Sequence, residues 1–152
     1  WAALNNGIVD IIASDHAPHT LEEKSSVYPK SPSGTPGVQT LVPIMLNHVN
    51  NNKLSLHKLV SLWSYGPERV HKIFSKGRIQ EGYDADFTIV DMNKEMIIEN
   101  KQQKSRSQWS PYDGMKVKGW PTHTIIRGNC VMSNDEIIGK PSGEIIKFKE
   151  TM

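Results

Sequence analysis

The chain has 152 residues, room for one ordinary domain or two small ones. Its 18 basic and 16 acidic residues leave a formal charge of +2, too balanced to indicate a nucleic-acid or membrane surface. A single cysteine excludes an internal disulfide framework and suits a reducing, cytoplasmic setting, and no apolar run approaches the ~20 residues that cross a bilayer.

Residues 1–7, WAALNNG, read as the last turn of a helix stopped by Asn and Gly, which tolerate the left-handed cap conformation. With no initiator methionine, the expectation is a fragment of a longer chain. Residues 8–14, IVDIIAS, form a short apolar, β-branched run that predicts a strand buried on both faces. Residues 20–37 are rich in Ser, Pro, Gly, Lys and Glu and predict a long loop.

Helical spacing follows, with Val38, Leu41, Val42, Met45, Leu46 and Val49 on one face and Pro43 tolerated only in a first turn. Ser55 is a good N-cap for a second helix carrying Leu56, Leu59, Val60 and Trp63. Pro67 starts a third helix, which carries Val70, Ile73 and Phe74 and closes at Gly77. Beyond Gly77 the period changes. DADFTIVDM, EMIIE, THTIIRG, NCVMSN and GEIIKF are strand-like runs separated by turn residues, and Gly128-Asn129 is the expected hairpin turn. Cys130, beside Val131 and Met132, is expected to be a buried structural thiol. The map is one strand, a long loop, three helices and a β region, and a lone strand needs sheet neighbours.

Chemistry concentrates in IIASDHAPHT, residues 11–20. Asp15 follows the predicted strand, at the end where α/β barrels place catalytic groups. A carboxylate there can ligate a metal through one oxygen and accept a proton with its remaining lone pairs. His19, beyond the stiffening Pro18, could point into the same pocket, whereas His16 is expected to face elsewhere. The same residues are also ordinary loop formers. PSGTPG, residues 32–37, closes the long loop just before a helix. Its glycines permit close backbone approach to an anion, or simply a tight turn leading into the helix. His48, His57, His71 and His123 lack nearby ligand partners, and Trp63 and Trp109 are expected to be packing residues.

SDHAPHTLEEK followed by SPSGTPGVQT resembles the dihydroorotases of the amidohydrolase superfamily. The resemblance continues through WSYGPERVHKIF, KGRIQEGYDADFTIVD, WSPYDGMKVKGWPTHTIIRGNCV and GKPSGEII, nearly the whole chain. It implies an α/β plus β fold: residues 1–76 would be the last strand and helices of a (β/α)8 (TIM) barrel, incomplete here, and residues 77–152 part of a small C-terminal β-sandwich domain. It implies that Asp15 is the catalytic, metal-binding aspartate, that His19 contacts the substrate carboxylate, and that Ser33 and Gly34 contact substrate largely through backbone. The implied cofactor is one or two zinc ions, and the implied reaction is reversible hydrolysis of dihydroorotate to N-carbamoyl-aspartate in pyrimidine synthesis.

Two departures qualify the match. The family's other metal ligands, a His-x-His pair, a bridging lysine and two further histidines, have no counterpart in this chain. Gln39 stands where many relatives carry Glu, a position expected to be structural. Hydantoinases and allantoinases share parts of these motifs, and some relatives are non-catalytic scaffolds for aspartate transcarbamoylase. The expected partners are a small-molecule substrate, further copies of the chain and possible aspartate transcarbamoylase, with neither nucleic acid nor membrane. The chain by itself is expected to be inactive, and to self-associate, swap its first strand or leave its N-terminal third disordered.

Overall fold

The computed structural model describes residues 1–149, so residues 150–152 of the expected second domain lie outside the described residues. Two compact units are present, each drawing on segments from before and after Gly77. One contains residues 1–12, 48–91 and the chain from Pro121 onward; the other contains residues 13–47 and 92–120.

The first unit opens with helix α1 (Ala2–Asn5), ended by Asn6 and by Gly7 at φ +78°, the stop expected from the Asn/Gly signal. Residues 8–14 then correct the sequence reading. They form no strand. A strand exists only as part of a hydrogen-bonded ladder, and the described residues offer these none. Ile8 is accordingly 74% exposed. Ile12 N–H reaches Leu62 O at 3.3 Å, and Asp10, the polar residue of the run, pairs with Arg69.

Ser55 caps α4 (Leu56–Val60) as its sequence position requires, accepting the Lys58 N–H at 3.1 Å. The chain does not break after it. A π-helical turn (Ser61–Tyr65) leads directly into α5 (Gly66–His71), so two expected helices run on as one. Pro67 lies in the first turn of α5, where its missing N–H is not needed. Leu59 and Leu62 are fully buried along this run. At Gly66 a Cβ would stand 2.1 Å from Asp10 O, so only glycine admits the backbone of residue 10 there. Lys72 at φ +53° ends α5 before Ile73 and Phe74, one turn earlier than the apolar spacing predicts.

Glu68 of α5 is buried, yet its two oxygens are both answered. Lys149 Nζ donates to Oε1 at 2.6 Å and Arg78 Nη2 to Oε2 at 3.1 Å. The Arg78 guanidinium also lies 4.5 Å from the centroid of the Tyr65 ring, a cation–π contact. The hydrogen bond from Lys149, and then that from Arg78, hold the Glu68 carboxyl below its usual value of 4.5. A lowered folded-state pKa contributes stability that is present above 4.5 and disappears as pH falls through the lower folded value. The melting temperature of the chain should therefore fall on acidification below 4.5, and Glu68→Gln should melt lower than the parent at neutral pH with the gap closing in acid. Thermal circular dichroism across pH checks this; a gap independent of pH would contradict it.

Four strands, β1 (Phe87–Ile97), β2 (Lys116–Ile126), β3 (Asn129–Ser133) and β4 (Glu136–Ile137), form one sheet in that order. β1 joins two runs that read separately in the sequence. β2 and β3 pair antiparallel with Ile126 opposite Asn129, so the turn is Arg127-Gly128 instead of Gly128-Asn129. Both turn residues have positive φ, +45° and +78°, the signature of the twist-compatible two-residue hairpin. Asn134-Asp135 repeats the device before β4, at +48° and +70°. GEIIKF is not a strand: it contributes only a bridge from Phe148 to Ile73, and Ile145 is 95% exposed. Cys130 is also exposed, against expectation, because it stands next to the hairpin turn.

The second unit contains α2 (Leu21–Lys24), most of α3 (Leu41–Asn50) and the intervening loops. Pro43 falls in the first turn of α3, the one interior position it tolerates, and is buried. Ile98, Val117 and Trp120 make a small core, with Ile44, Met96 and Met115 packed against it. Gln39 is structural, as expected. Its Nε2 donates to Gln102 O and its Oε1 accepts the Lys104 N–H, both at 2.8 Å. Glutamate could not make the first of these bonds.

Candidate active site: the 15–19 and 32–37 loops

All four residues singled out from the sequence lie in the second unit. Asp15 sits at φ +46°, a left-handed conformation that aspartate tolerates better than most residues. It is exposed, and its carboxylate has no hydrogen-bond or ion-pair partner among the described residues. A carboxylate with both oxygens uncommitted can take a cation or a proton.

His16, expected to face elsewhere, turns toward the second loop. Its Nδ1 accepts the N–H of Gly37 at 3.0 Å and that of Val38 at 3.2 Å. An accepting Nδ1 places the ring proton on Nε2. The adjoining backbone reinforces the contact: His16 pairs with Thr35 as a parallel bridge, and Ala17 N–H donates to Thr35 O at 3.1 Å. Gly34, at φ +89°, lies so close that a Cβ would stand 2.6 Å from Ala17 Cβ and 3.0 Å from Ala17 O.

His19 is anchored through its backbone. Trp109 Nε1 donates to its carbonyl at 2.6 Å, so Trp109 does more than pack. The imidazole Nδ1 lies 3.5 Å from Glu23 Oε2. Glu23 in turn closes a reciprocal cap on α2, accepting the Thr20 N–H at 2.8 Å while its own N–H donates to Thr20 Oγ1 at 3.2 Å. The Thr20 N–H, chiefly, holds the Glu23 carboxyl below its usual range.

Ser33 is exposed at the crest of the second loop, between two carbonyls that Lys24 holds: its Nζ donates to Pro32 O at 2.6 Å and to Gly34 O at 3.2 Å. The structure thus joins residues 16–17 to residues 34–38. His16, Lys24 and Trp109 are contributors that sequence reasoning missed. Only their presence inside the motif-bearing stretches marked them, since their partners are distant or backbone.

No group of three or more His, Cys, Asp or Glu side chains is placed to hold a metal ion among the described residues. A catalytic zinc takes about three protein ligands. Asp15 fits as one of them and no more.

Residues 1–131 match the family model described as "Amidohydrolase family". The chain belongs to the amidohydrolase family. Among curated relatives of this amidohydrolase chain, a dihydroorotase of Pyrococcus abyssi is 47% identical over 146 residues, covering 96% of this chain and 34% of the relative. An L-hydantoinase of Paenarthrobacter aurescens is 36% identical over 143 residues, 91% of this chain and 31% of the relative. The solved L-hydantoinase (dihydropyrimidinase) from Arthrobacter aurescens superposes with a TM-score of 0.86 at 35% identity, over 92% of this chain and 32% of that one. The chain therefore spans about a third of the length of the relatives it matches. The resemblance carried by SDHAPH and PSGTPG is upheld at family level.

Proposed function

We propose that the protein carrying this chain is a dihydroorotase, and that the chain supplies about a third of it. The observation that carries this reading is the 47% identity to a dihydroorotase over 96% of the chain. The arrangement of the two loops supports it. In this reading residues 8–14 become the final strand of a (β/α)8 barrel once neighbouring strands are present, and the four-stranded sheet belongs to a small β-sandwich domain. Zinc, one ion or two, would supply an activated water and polarise the ring amide when bound. Asp15 accepts the proton of the attacking water and passes it to the ring nitrogen as the C–N bond breaks, giving N-carbamoyl-aspartate; the reverse sequence closes the ring. His19 donates to the substrate carboxylate, and the backbone of Ser33 and Gly34 receives the ring amide edge. The setting is cytoplasmic pyrimidine synthesis.

The complete protein should consume dihydroorotate in a metal-dependent manner, while the purified 152-residue chain should not. Loss of dihydroorotate absorbance measures both. A second reading, a hydantoin-opening enzyme, is favoured by the L-hydantoinase similarities in both sequence and structure. Dihydroorotate carries a ring carboxylate and alkyl hydantoins do not, so the two substrates assayed side by side separate the readings. Turnover of hydantoins with none of dihydroorotate would overturn the first. Inertness toward both, with capture of aspartate transcarbamoylase, would indicate a scaffold.

A further inference from the structure

The loop that follows α2, residues 25–37, loses much conformational entropy when it is held in one shape, so presenting backbone groups at fixed positions requires ties. This loop has two, one at the carbonyls flanking Ser33 and one at the residues just after Gly34. On one side the Lys24 ammonium donates to Pro32 O and Gly34 O, the carbonyls that flank Ser33. In a trans peptide the C=O and the following N–H point in opposite directions. Fixing Pro32 O therefore aims the Ser33 N–H away from Lys24, and fixing Gly34 O does the same for the Thr35 N–H. Lys24 is itself held: it belongs to α2, whose start is capped by Thr20 and Glu23, and its carbonyl accepts Ser31 Oγ at 3.0 Å. No carboxylate pairs with Lys24 among the described residues, so two of its three donors serve these carbonyls.

On the other side His16 Nδ1 takes the N–H groups of Gly37 and Val38 at once, and the Ala17–Thr35 hydrogen bond closes the seam. His16 is the immediate neighbour of Asp15. The residue that pins the substrate loop thus adjoins the residue assigned the proton transfer.

We propose that Lys24 and His16 are positioning residues that hold the Ser33–Gly34 backbone in its substrate-binding form, setting affinity for the ring substrate and not the rate of the chemical step. The identity of the substrate rests on the dihydroorotase reading; the clamp itself does not.

Two measurements test it. In the complete protein, amide hydrogen exchange by NMR needs no substrate. Gly37 and Val38 should exchange about tenfold faster in His16→Ala, the change that one net hydrogen bond makes, and near the parent rate in His16→Asn, whose Oδ1 replaces the acceptor. Lys24→Met should speed exchange at Ala17 about threefold or more, and Lys24→Arg should do so less. In the complete enzyme, Lys24→Met and His16→Ala should raise KM for dihydroorotate about tenfold with kcat within about threefold, and His16→Asn should recover most of the loss. Unchanged exchange in His16→Ala and Lys24→Met would overturn the clamp. Faster exchange with unchanged KM, or a fall in kcat alone, would overturn the positioning role. A parent enzyme inert toward dihydroorotate would overturn the enzyme reading, and the exchange rates would still decide the clamp.

Discussion

On the dihydroorotase reading, Asp15→Asn in the complete protein should lower kcat for dihydroorotate by about 10²- to 10⁴-fold while KM stays within a few-fold, the range that a positioned acid–base group supplies. The amide retains a carbonyl oxygen that can face a cation, but it can no longer accept a proton. Backbone strain does not confuse the result, because asparagine suits the +46° φ of residue 15 at least as well as aspartate does. Nor does folding, since the Asp15 side chain is exposed and bonded to nothing among the described residues. Melting curves of the 152-residue chain with and without the substitution should coincide. Parallel losses of stability and turnover would instead make Asp15 a structural residue.

The second large effect concerns Gly34. Alanine there would need its Cβ 2.6 Å from Ala17 Cβ and 3.0 Å from Ala17 O, at a φ of +89°. Overpacking typically costs about 1–3 kcal/mol and the left-handed conformation about 1–2 kcal/mol more. The cheaper response is for residues 33–37 to peel away from residues 15–17, giving up the Ala17–Thr35 and His16 hydrogen bonds. A displacement of about 1 Å in a binding element is enough to reduce kcat/KM about 10²-fold, and that is the expected loss for Gly34→Ala. Gly82→Ala is the control, because Gly82 has a similar φ of +83° and nothing within 4 Å of a new Cβ. Adding Ala17→Gly to Gly34→Ala should restore part of the activity by removing one of the two close contacts. Steady-state kinetics of the four proteins forms the check, and a Gly34→Ala enzyme as active as the Gly82→Ala control would defeat the steric account.

What could be read from the sequence was local. Ser55 as a cap, Pro43 and Pro67 in first turns, and the Asn/Gly stop after α1 each depend on residues within one helical turn. Asp15, His19, Ser33 and Gly34 stood out through the resemblance carried by SDHAPH and PSGTPG, since local spacing alone reads equally as loop and turn. The misreadings concern partners farther away. Residues 8–14 have strand composition, but a ladder is made by a neighbour. The turn at Arg127-Gly128 was displaced by one residue because arginine gives no signal for a positive φ, and register alone decides which pair turns. GEIIKF shares the apolar pattern of a strand and lacks the pairing. His16 reaches residues 21 and 22 positions away, and Trp109 reaches one 90 positions away. Neither pairing leaves a trace in any window of sequence short enough to carry periodicity.

The π-helical turn between α4 and α5 amounts to a single inserted residue in an otherwise α-helical run. Each residue advances an α-helix by about 100°, so every side chain after Tyr65 is rotated by about that angle from where uninterrupted winding would leave it. Glu68 comes three residues after the insertion, and its angular position is what lets Lys149 and Arg78 share its two oxygens. Deleting one residue from Ser61–Tyr65 would rewind the turn, swing Glu68 about a quarter of the way round the helix and part it from both cations. The length of this segment, more than the identity of any side chain within it, sets the azimuth of the ion-paired face.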